Sequence, residues 1–197
     1  MGRREKMKDQ KRTALIEAGM QLFTSQGFAK TTVEQITDQA DLAKGTFYNY
    51  FTTKEDLLVA AMMIEQEALA ATERPVVFAL PTVRARLRHV IAWAAAWISQ
   101  HPELSVVWCI ERCRRGVELD GPSGFDQLLL EVVTAGQAAG ELQPTRAPQH
   151  LTLEITAIIV TYIFAWYGSG LSFDLAGAVQ PAIETYLTGA LVKGEEG

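Results

Sequence analysis

The sequence predicts an all-α protein with a small N-terminal domain and a larger C-terminal domain. Apolar residues recur three and four positions apart along most of the chain, which is the period of an α-helix. No stretch shows the sustained apolar/polar alternation, bounded by Asn-Gly or Asp-Gly, that predicts a β-hairpin. The chain has 197 residues, 48% of them hydrophobic, so it can bury one substantial core or one core with a small annex.

The N-terminal part of the chain is predicted to hold four helices. The first covers about 8–25 and carries an apolar stripe on one face. Thr32 caps a short second helix, and Gln35, three positions later, completes a capping box. A third helix covers about 44–50, and Thr53 caps a longer fourth helix with an acidic first turn.

Five further helices are predicted after a break that Pro75 and Pro81 bracket. Four of them cover about 83–101, 103–116, 125–139 and 148–167, with loops at 121–124 and 143–145. The last has an apolar stripe formed by Leu175, Val179, Ile183, Leu187 and Leu191. Pro181 lies within this stripe, so it either kinks the helix or marks its true start.

The helix at 148–167 is apolar nearly all round, which predicts that it is covered on several sides. The uncharged segment 155–173 is nominally long enough to cross a bilayer, which takes about 17–25 residues. Gly168, Ser169 and Gly170 interrupt it, and a shorter apolar run is more typical of a buried core helix. We therefore expect a core helix rather than a membrane span.

Charge is unevenly distributed along the chain. Residues 1–54 carry nine basic and six acidic side chains, whereas the remainder carries nine basic and seventeen acidic ones. The two parts are therefore expected to meet different partners. Two cysteines, and a charged start without an apolar stretch behind it, predict a reducing, cytoplasmic setting without a signal peptide.

Residues 33–50 read as helix, three-residue turn and helix, which is the spacing of a helix-turn-helix. In that motif the second helix lies in the major groove of DNA. Hydrogen-bonding side chains crowd this helix, whereas Phe47 and Phe51 are expected to face inward. Six cations precede it: Arg3, Arg4, Lys6, Lys8, Lys11 and Arg12. They suit an N-terminal arm that orders on DNA phosphates, the alternative being a solvated tail.

The segment 42–58, LAKGTFYNYFTTKEDLL, resembles the signature of tetracycline-repressor (TetR/AcrR) family regulators. The resemblance covers about residues 10–60. Beyond it the chain is similar only in helix order, length and a late pattern: Trp166, Asp174, Leu175 and Gly189. The resemblance implies a homodimer that binds a palindromic operator and releases it when a small molecule occupies the larger domain.

Base readout is assigned by this resemblance to four positions of the second helix. Lys44 and Gly45 match positions that approach base edges, and Thr46 and Asn49 match the variable readers. Ala43 departs from the family, which commonly has Ser or Thr there. A side-chain cap worth about 0.5–2 kcal/mol is therefore missing, and the recognition helix is expected to be looser until DNA orders it.

Phosphate contacts are assigned by the same resemblance to four other residues. Tyr48 and Tyr50 match phosphate-contacting positions, and Lys54 matches a phosphate-binding lysine at the start of the fourth helix. Thr32 lies at a helix N-terminus, which favours anions because its N–H groups are unpaired.

An effector site in the larger domain is expected to be apolar with a few polar groups. The aromatic candidates are Trp93, Trp97, Trp108, Tyr162 and Trp166, for which core packing is the alternative. Glu154 stands in an otherwise apolar helix and an acid is rarely buried unpaired, so it is a candidate for a cationic ligand. It could equally pair with an arginine such as Arg112 or flank a dimer seam. The predicted effector is thus a small apolar or aromatic molecule, which could also carry a positive charge.

Two cysteines and three histidines remain. Cys109 and Cys113 lie one helical turn apart beside arginines, which could favour redox sensing, although free cysteines are more often small buried hydrophobes. The histidines show no metal-ligand spacing. We therefore predict no metal site and no cofactor.

These patterns predict a ligand-responsive transcriptional repressor rather than an enzyme. Residues 1–53 would form a three-helix DNA-binding domain with a basic arm, and 54–197 a ligand-binding and dimerisation domain. A regulator whose larger domain only dimerises or recruits a protein partner is the main alternative. A small helical enzyme is disfavoured because the sequence contains no phosphate loop, nucleophile elbow or paired-carboxylate motif.

Overall fold

The computed structural model describes residues 2–116 and 123–188, and these residues form helices and no β-strand. The helices are α1 (Arg3–Gln26), α2 (Val33–Gln39), α3 (Lys44–Tyr48), α4 (Lys54–Ala79), α5 (Val83–Gln100), α6 (Pro102–Arg115), α7 (Gly124–Ala138), α8 (Pro148–Gly168) and α9 (Leu175–Thr188). The all-α prediction is confirmed. Leu191, Gly189 and the first half of the predicted loop 121–124 lie outside the described residues.

Two compact units make up the described residues. The first contains 2–65 and 103–116, and the second contains 66–102 and 123–188. The division falls inside α4, and nearly all of α6 belongs to the first unit. The functional boundary after residue 53 stays a prediction.

The first unit has an apolar core built from α1, α2, α3 and the start of α4. Its fully buried side chains include Leu15, Ile36, Phe47, Leu57 and Met62. A Cβ added to Gly19 of α1 would lie 2.5 Å from a methyl group of Leu57. An alanine there would therefore force the Leu57 side chain to move.

The second unit is a helical layer in which α7 packs on α5 and α8, while α9 packs on α5 and α8. A Cβ on Gly124, the first residue of α7, would lie 2.3 Å from the carbonyl oxygen of Gln66. The start of α7 therefore lies directly against the backbone of α4. Thr156 and Asp126 approach each other at 3.5 Å and link α8 to α7.

Helix α8 is covered less than its composition predicts. Among the described residues it is the one helix long and apolar enough to cross a membrane, and only 33% of its most apolar window is buried. Leu153, Phe164 and Tyr167 are 50%, 38% and 41% exposed. The expectation of cover on several sides is therefore not met by α7 and α9 of the same chain.

Proline positions account for most differences from the expected helix boundaries. Pro75 lies inside α4 instead of ending it. Its surroundings explain this, because Pro75 and Ala71, whose carbonyl loses its partner, are both exposed to water. Pro102 is the first residue of α6, and Pro181 lies inside α9, so it does not mark that helix's start.

Candidate nucleic-acid interface and effector residues

The turn between α2 and α3 is held by local backbone hydrogen bonds. The N–H of Leu42 donates to the carbonyl of Thr37 at 2.9 Å. Asp41 has a φ of 53°, in the left-handed region that Asp and Asn tolerate better than most residues. The predicted helix-turn-helix is therefore present with its short turn.

Thr32 caps α2 as predicted. Its hydroxyl accepts the N–H of Gln35 at 3.2 Å, and the Gln35 side chain accepts the N–H of Thr32 at 2.9 Å. The Thr32 hydroxyl is exposed at this N-terminus. Because it acts there as an acceptor, its own hydrogen can still be donated to a phosphate; that contact stays a prediction.

One face of α3 is anchored in the core. Phe47 is fully buried, and its ring centroid lies 5.6 Å from that of Phe51, which is 5% exposed. The inward orientation predicted for both side chains is confirmed. Since α3 is a single short helix, burial of this face turns the opposite face outward.

The outward face carries the predicted DNA contacts. Lys44, Gly45, Tyr48 and Asn49 are exposed, and Thr46 and Tyr50 are half-buried. Tyr48 is 54% exposed, which is unusual for a large aromatic side chain. Apart from the Lys44 ammonium, these side chains form no side-chain hydrogen bond to another residue of 2–116 or 123–188. Their polar atoms can therefore bind an external partner.

Gly45 has no structural requirement within the protein itself. A Cβ built at this position would meet nothing within 4 Å, and its φ is not positive. Glycine is a poor helix former, so neither packing nor backbone conformation explains it. Close approach of DNA at Gly45 stays a prediction.

Lys44, the first residue of α3, forms an ion pair with Glu34 of α2. Their side chains are 52% and 57% exposed, so the pair lies at the surface. The hydrogen bond from Lys44 lowers the pKa of Glu34, and the same bond raises the pKa of Lys44. Sequence reasoning did not identify Glu34 as a partner of the recognition helix.

The start of α3 is uncapped, as the sequence predicts. Ala43 occupies the N-cap position in an extended conformation, and no side chain accepts a hydrogen bond there. A serine or threonine side chain would satisfy one of the free N–H groups.

Lys54 is placed differently from its expected role. Its ammonium donates to the carbonyls of Phe28, Ala29 and Thr31 at 2.8, 3.3 and 3.0 Å. It also lies 4.5 Å from the centroid of the Phe28 ring. Three donors and three carbonyls match, so the ammonium is occupied within the turn between α1 and α2. Its contact with a phosphate stays a prediction that these bonds disfavour.

The same turn is held from its other side by α6. The carboxylate of Glu103 accepts the N–H groups of Phe28 and Ala29 at 3.1 and 3.0 Å. The carbonyl of Phe28 and the N–H of Ala29 belong to one peptide group, so Lys54 and Glu103 bind opposite ends of that peptide dipole. Sequence reasoning missed Glu103, because these bonds join residues 74 and 75 positions apart.

The other end of α6 binds the start of α4. Arg115 donates to Asp56 at 2.6 Å and to Glu111 at 3.3 Å. Asp56 also accepts the N–H groups of Thr52 and Thr53, both at 2.9 Å. Burial raises the pKa of the Asp56 carboxyl, but the bonds from Arg115, Thr53 and Thr52 outweigh it, and the pKa lies below its ordinary value.

The basic N-terminal segment is helical instead of forming a separate arm. Helix α1 begins at Arg3, and the N–H of Gly2 donates to the Glu5 carboxylate at 2.8 Å. Good helix formers and an acid in the first turn explain this early start. Lys8 and Lys11 are exposed on the helix, where they can attract phosphates.

The aromatic effector candidates fall into different units. Trp108 is 6% exposed in the first unit, with Arg112 5.4 Å from its ring centroid. In the second unit the ring of Trp93 stacks on Phe125 at 6.4 Å. The second unit also contains three other candidates: Trp97 and Tyr162 are half-buried, and Trp166 is buried. Their role in ligand binding stays a prediction.

Glu154 is neither buried nor unpaired. Its side chain is 39% exposed, accepts Arg146 at 2.6 Å, and accepts the Tyr186 hydroxyl. Burial and the bond to Glu154 raise the pKa of Tyr186 to about 12. Pairing with an arginine is thus present, although the partner is Arg146 and not Arg112; a role of Glu154 at a ligand or at a dimer seam stays a prediction. These two bonds disfavour a cationic effector at Glu154, which stays a prediction.

The two cysteines differ in environment. Cys109 is buried and Cys113 is exposed. Burial of Cys109 fits a small apolar side chain.

Comparison with known proteins identifies the helix-turn-helix. The profile described as "Bacterial regulatory proteins, tetR family" matches residues 15–61. The chain is 22% identical over 189 residues to the fatty acid metabolism regulator protein of Bacillus subtilis, covering 93% of this chain and 97% of that protein.

Two solved structures are similar to nearly the whole chain. Thermus thermophilus FadR, a TetR-family transcriptional repressor in complex with lauroyl-CoA, has a TM-score of 0.75 at 23% identity, covering 94% of this chain and 98% of that one. FadR of Bacillus subtilis in complex with stearoyl-CoA has a TM-score of 0.68 at 20% identity, covering 90% and 98%.

Residues 15–61 therefore hold the helix-turn-helix of a bacterial transcriptional regulator. Residues 15–61 match the TetR family of bacterial regulatory proteins, and the described residues share the fold of TetR-family structures. The chain's helix order, a helix-turn-helix followed by a larger helical part, matches the fold of the two FadR structures.

Proposed function

We propose that the protein is a cytoplasmic homodimeric repressor that binds a palindromic operator through α3 and releases it when an acyl-CoA binds the larger part. The outward face of α3 carries the proposal for DNA. It combines exposed polar side chains with Gly45, where a Cβ would meet nothing within 4 Å. Two copies would place their recognition helices in successive major grooves, about 34–36 Å apart.

The uncovered face of α8 supports the dimer. Leu153, Phe164 and Tyr167 are exposed at helical spacing on a helix whose apolar window is one-third buried. A second copy would bury this face by a two-fold, self-complementary interface, with α8 and α9 of both chains forming a four-helix bundle. Exposed apolar surface of this kind marks an interaction site in a soluble protein.

The effector class is inferred from two neighbours that cover the larger part. Both FadR structures hold a fatty acyl-CoA, and the relative from Bacillus subtilis is a fatty acid metabolism regulator. A long acyl chain also agrees with the apolar effector that the sequence predicts. A cationic effector is disfavoured because Arg146 and Tyr186 already bind Glu154.

Helix α6 is proposed to transmit the effector signal. Its first turn holds the turn between α1 and α2 through Glu103, and its last turn holds α4 through Arg115. A small shift of α6 would therefore move the helix-turn-helix and α4 together. By linkage, effector and operator must weaken each other's binding by the same factor.

The operator is tested first by selecting bound duplexes from a randomised DNA pool. We expect wild-type protein to recover one inverted repeat, and a Lys44→Ala, Tyr48→Ala variant to recover none. Recovery of the same repeat by both proteins would reject α3 as the reader. Recovery of a single half-site, with one protomer bound, would reject the dimer.

The effector is tested on the recovered repeat with lauroyl-CoA, stearoyl-CoA, free coenzyme A, lauric acid and choline. We expect only the two thioesters to release the DNA. If none of them releases the DNA, the alternative is favoured in which the C-terminal part of the chain only dimerises or recruits a protein partner. Release by choline alone would restore the cationic class.

A further inference from the structure

Glu34 is an acidic residue placed beside the base-reading end of the recognition helix. It lies in the first turn of α2, and its carboxylate accepts a hydrogen bond from the Lys44 ammonium at the start of α3. Both side chains are more than half exposed. Lys44 is the first residue of α3 and is predicted to approach base edges. Its ammonium must therefore leave the Glu34 carboxylate before it can bind DNA.

The position of Glu34 is not explained by helix stability alone. An acid in the first turn favours a helix, but any acid on that turn would do so, whether or not it reached α3. Asp38 provides the comparison, because it is an exposed acid on the same helix with no side-chain bond to another described residue. Pairing with the recognition helix is specific to Glu34.

An ion pair at this position changes what Lys44 does on DNA. A lysine ammonium is a flexible point charge that can bind any nearby phosphate, and such contacts add affinity without sequence information. A carboxylate already bound to the ammonium competes with phosphates. A guanine presents two acceptors, O6 and N7, in the major groove, and it is reached only when α3 is fully seated.

We propose that Glu34 is a specificity-determining residue. On random DNA its carboxylate stays bound to Lys44 and keeps the ammonium from phosphates; on the operator this bond breaks and Lys44 binds a base acceptor. The inference rests on the proposed contact of Lys44 with bases. The protein should therefore bind random DNA more weakly than it would if Lys44 had no carboxylate partner. Removing the carboxylate would therefore raise binding to random DNA more than binding to the operator.

The test uses the full-length protein and a labelled random-sequence duplex, with binding followed by fluorescence anisotropy across a salt series. Glu34→Gln is expected to strengthen this binding about three- to fivefold, the upper range for an exposed ion pair. The salt dependence should steepen by about 0.9 unit for each recognition helix that gains a phosphate contact. Asp38→Asn, which removes the same charge from the same helix, should change the affinity less than twofold.

A double-mutant cycle separates the ion pair from simple loss of charge. In a Lys44→Ala background, Glu34→Gln should have no more effect than Asp38→Asn. On the operator recovered by selection, Glu34→Gln should reduce the ratio of specific to random affinity. Equal effects of Glu34→Gln with and without Lys44, or no gain on random DNA, would overturn the inference.

The failure of the inference can be told apart from that of the DNA-binding assignment. If Lys44→Ala weakens operator binding while Glu34→Gln leaves random DNA binding unchanged, Lys44 is a reader and Glu34 is only a surface acid. If Lys44→Ala changes neither affinity, the assignment of Lys44 itself is rejected, and the role of Glu34 with it. Thermal melts should show all variants folded, since the substituted side chains are exposed.

Discussion

The ammonium of Lys54 lies 2.8 Å from the carbonyl oxygen of Phe28, a residue 26 positions earlier in the chain. This bond and the two beside it tie the start of α4 to the turn between α1 and α2. The family resemblance expects the same lysine to bind a phosphate. Removing the charge distinguishes the two roles: loss of the structural bonds lowers stability, whereas loss of a phosphate contact lowers the salt dependence of DNA binding.

Replacing Lys54 by alanine is expected to lower stability by about 1–3 kcal/mol, because charge-assisted hydrogen bonds are lost and carbonyls are left unpaired. Affinity for every DNA sequence should fall, whereas the slope of affinity against salt should stay unchanged. Lys11→Ala, at an exposed position of α1, is the matched control. It should flatten the salt slope by about 0.9 unit for each bound protomer without lowering the melting temperature.

If Lys54→Ala flattens the slope of DNA affinity against salt and leaves the melting temperature unchanged, Lys54 binds a phosphate instead.

Gly45→Ala separates a role in folding from a role in binding. Open space around a Cβ at this position and the better helix propensity of alanine predict stability that is equal or higher, by up to about 1 kcal/mol. Operator affinity should fall about tenfold or more, since a base contact is worth about 1–3 kcal/mol. Calorimetry and anisotropy on the same preparation measure both quantities.

If Gly45→Ala binds the operator as well as wild type does, α3 does not approach DNA closely at this residue.

Asp56 predicts a particular dependence of stability on pH. Its pKa is lowered in the folded protein, so its contribution is present above the unfolded value of about 3.9 and is lost as pH falls through the folded value. Asp56→Asn should therefore melt at a lower temperature than wild type at neutral pH. The difference between the two proteins should shrink as pH falls toward about 3.

Asp38→Asn, which removes an exposed acid, serves as the control for loss of a carboxylate in this series. A difference between Asp56→Asn and wild type that is constant over the whole range would contradict the lowered pKa.

The exposed face of α8 predicts the oligomeric state. A variant carrying Leu153→Glu and Phe164→Glu places two charges on this face and should elute as a monomer in light-scattering chromatography. Its affinity for an inverted repeat should fall about a hundredfold or more, because two linked half-site contacts are separated. Val76→Glu, at a position 50% exposed on α4, should remain dimeric.

A dimer that persists in the α8 double variant would show that the two copies meet elsewhere.

Local features of the fold and site are predictable from the sequence. The capping box of Thr32 with Gln35, the missing cap at Ala43 and the inward side of Phe47 each depend on residues within about one helical turn. Proline was less reliable as a boundary signal. Pro75 continues α4 because water can serve the carbonyl that it leaves unpaired.

The partners of charged side chains are not predictable in this way. For Glu154 the sequence leaves open a cationic ligand, an arginine such as Arg112 or a dimer seam. The structure pairs it with Arg146, two residues before α8, and with Tyr186 of α9. Several arginines stand at plausible distances along the chain, and helix packing selects among them. Sequence spacing carries no information on that choice.

By itself, then, the sequence determined the helical fold, the helix-turn-helix and the residues that its outward face presents, because helical period and capping are short-range properties. Only the tertiary structure decided that Glu103 and Lys54 hold one turn from two sides and that Glu34 binds Lys44. These bonds span from 10 to 75 positions of chain. They exist only once packed helices bring distant charges within hydrogen-bond distance.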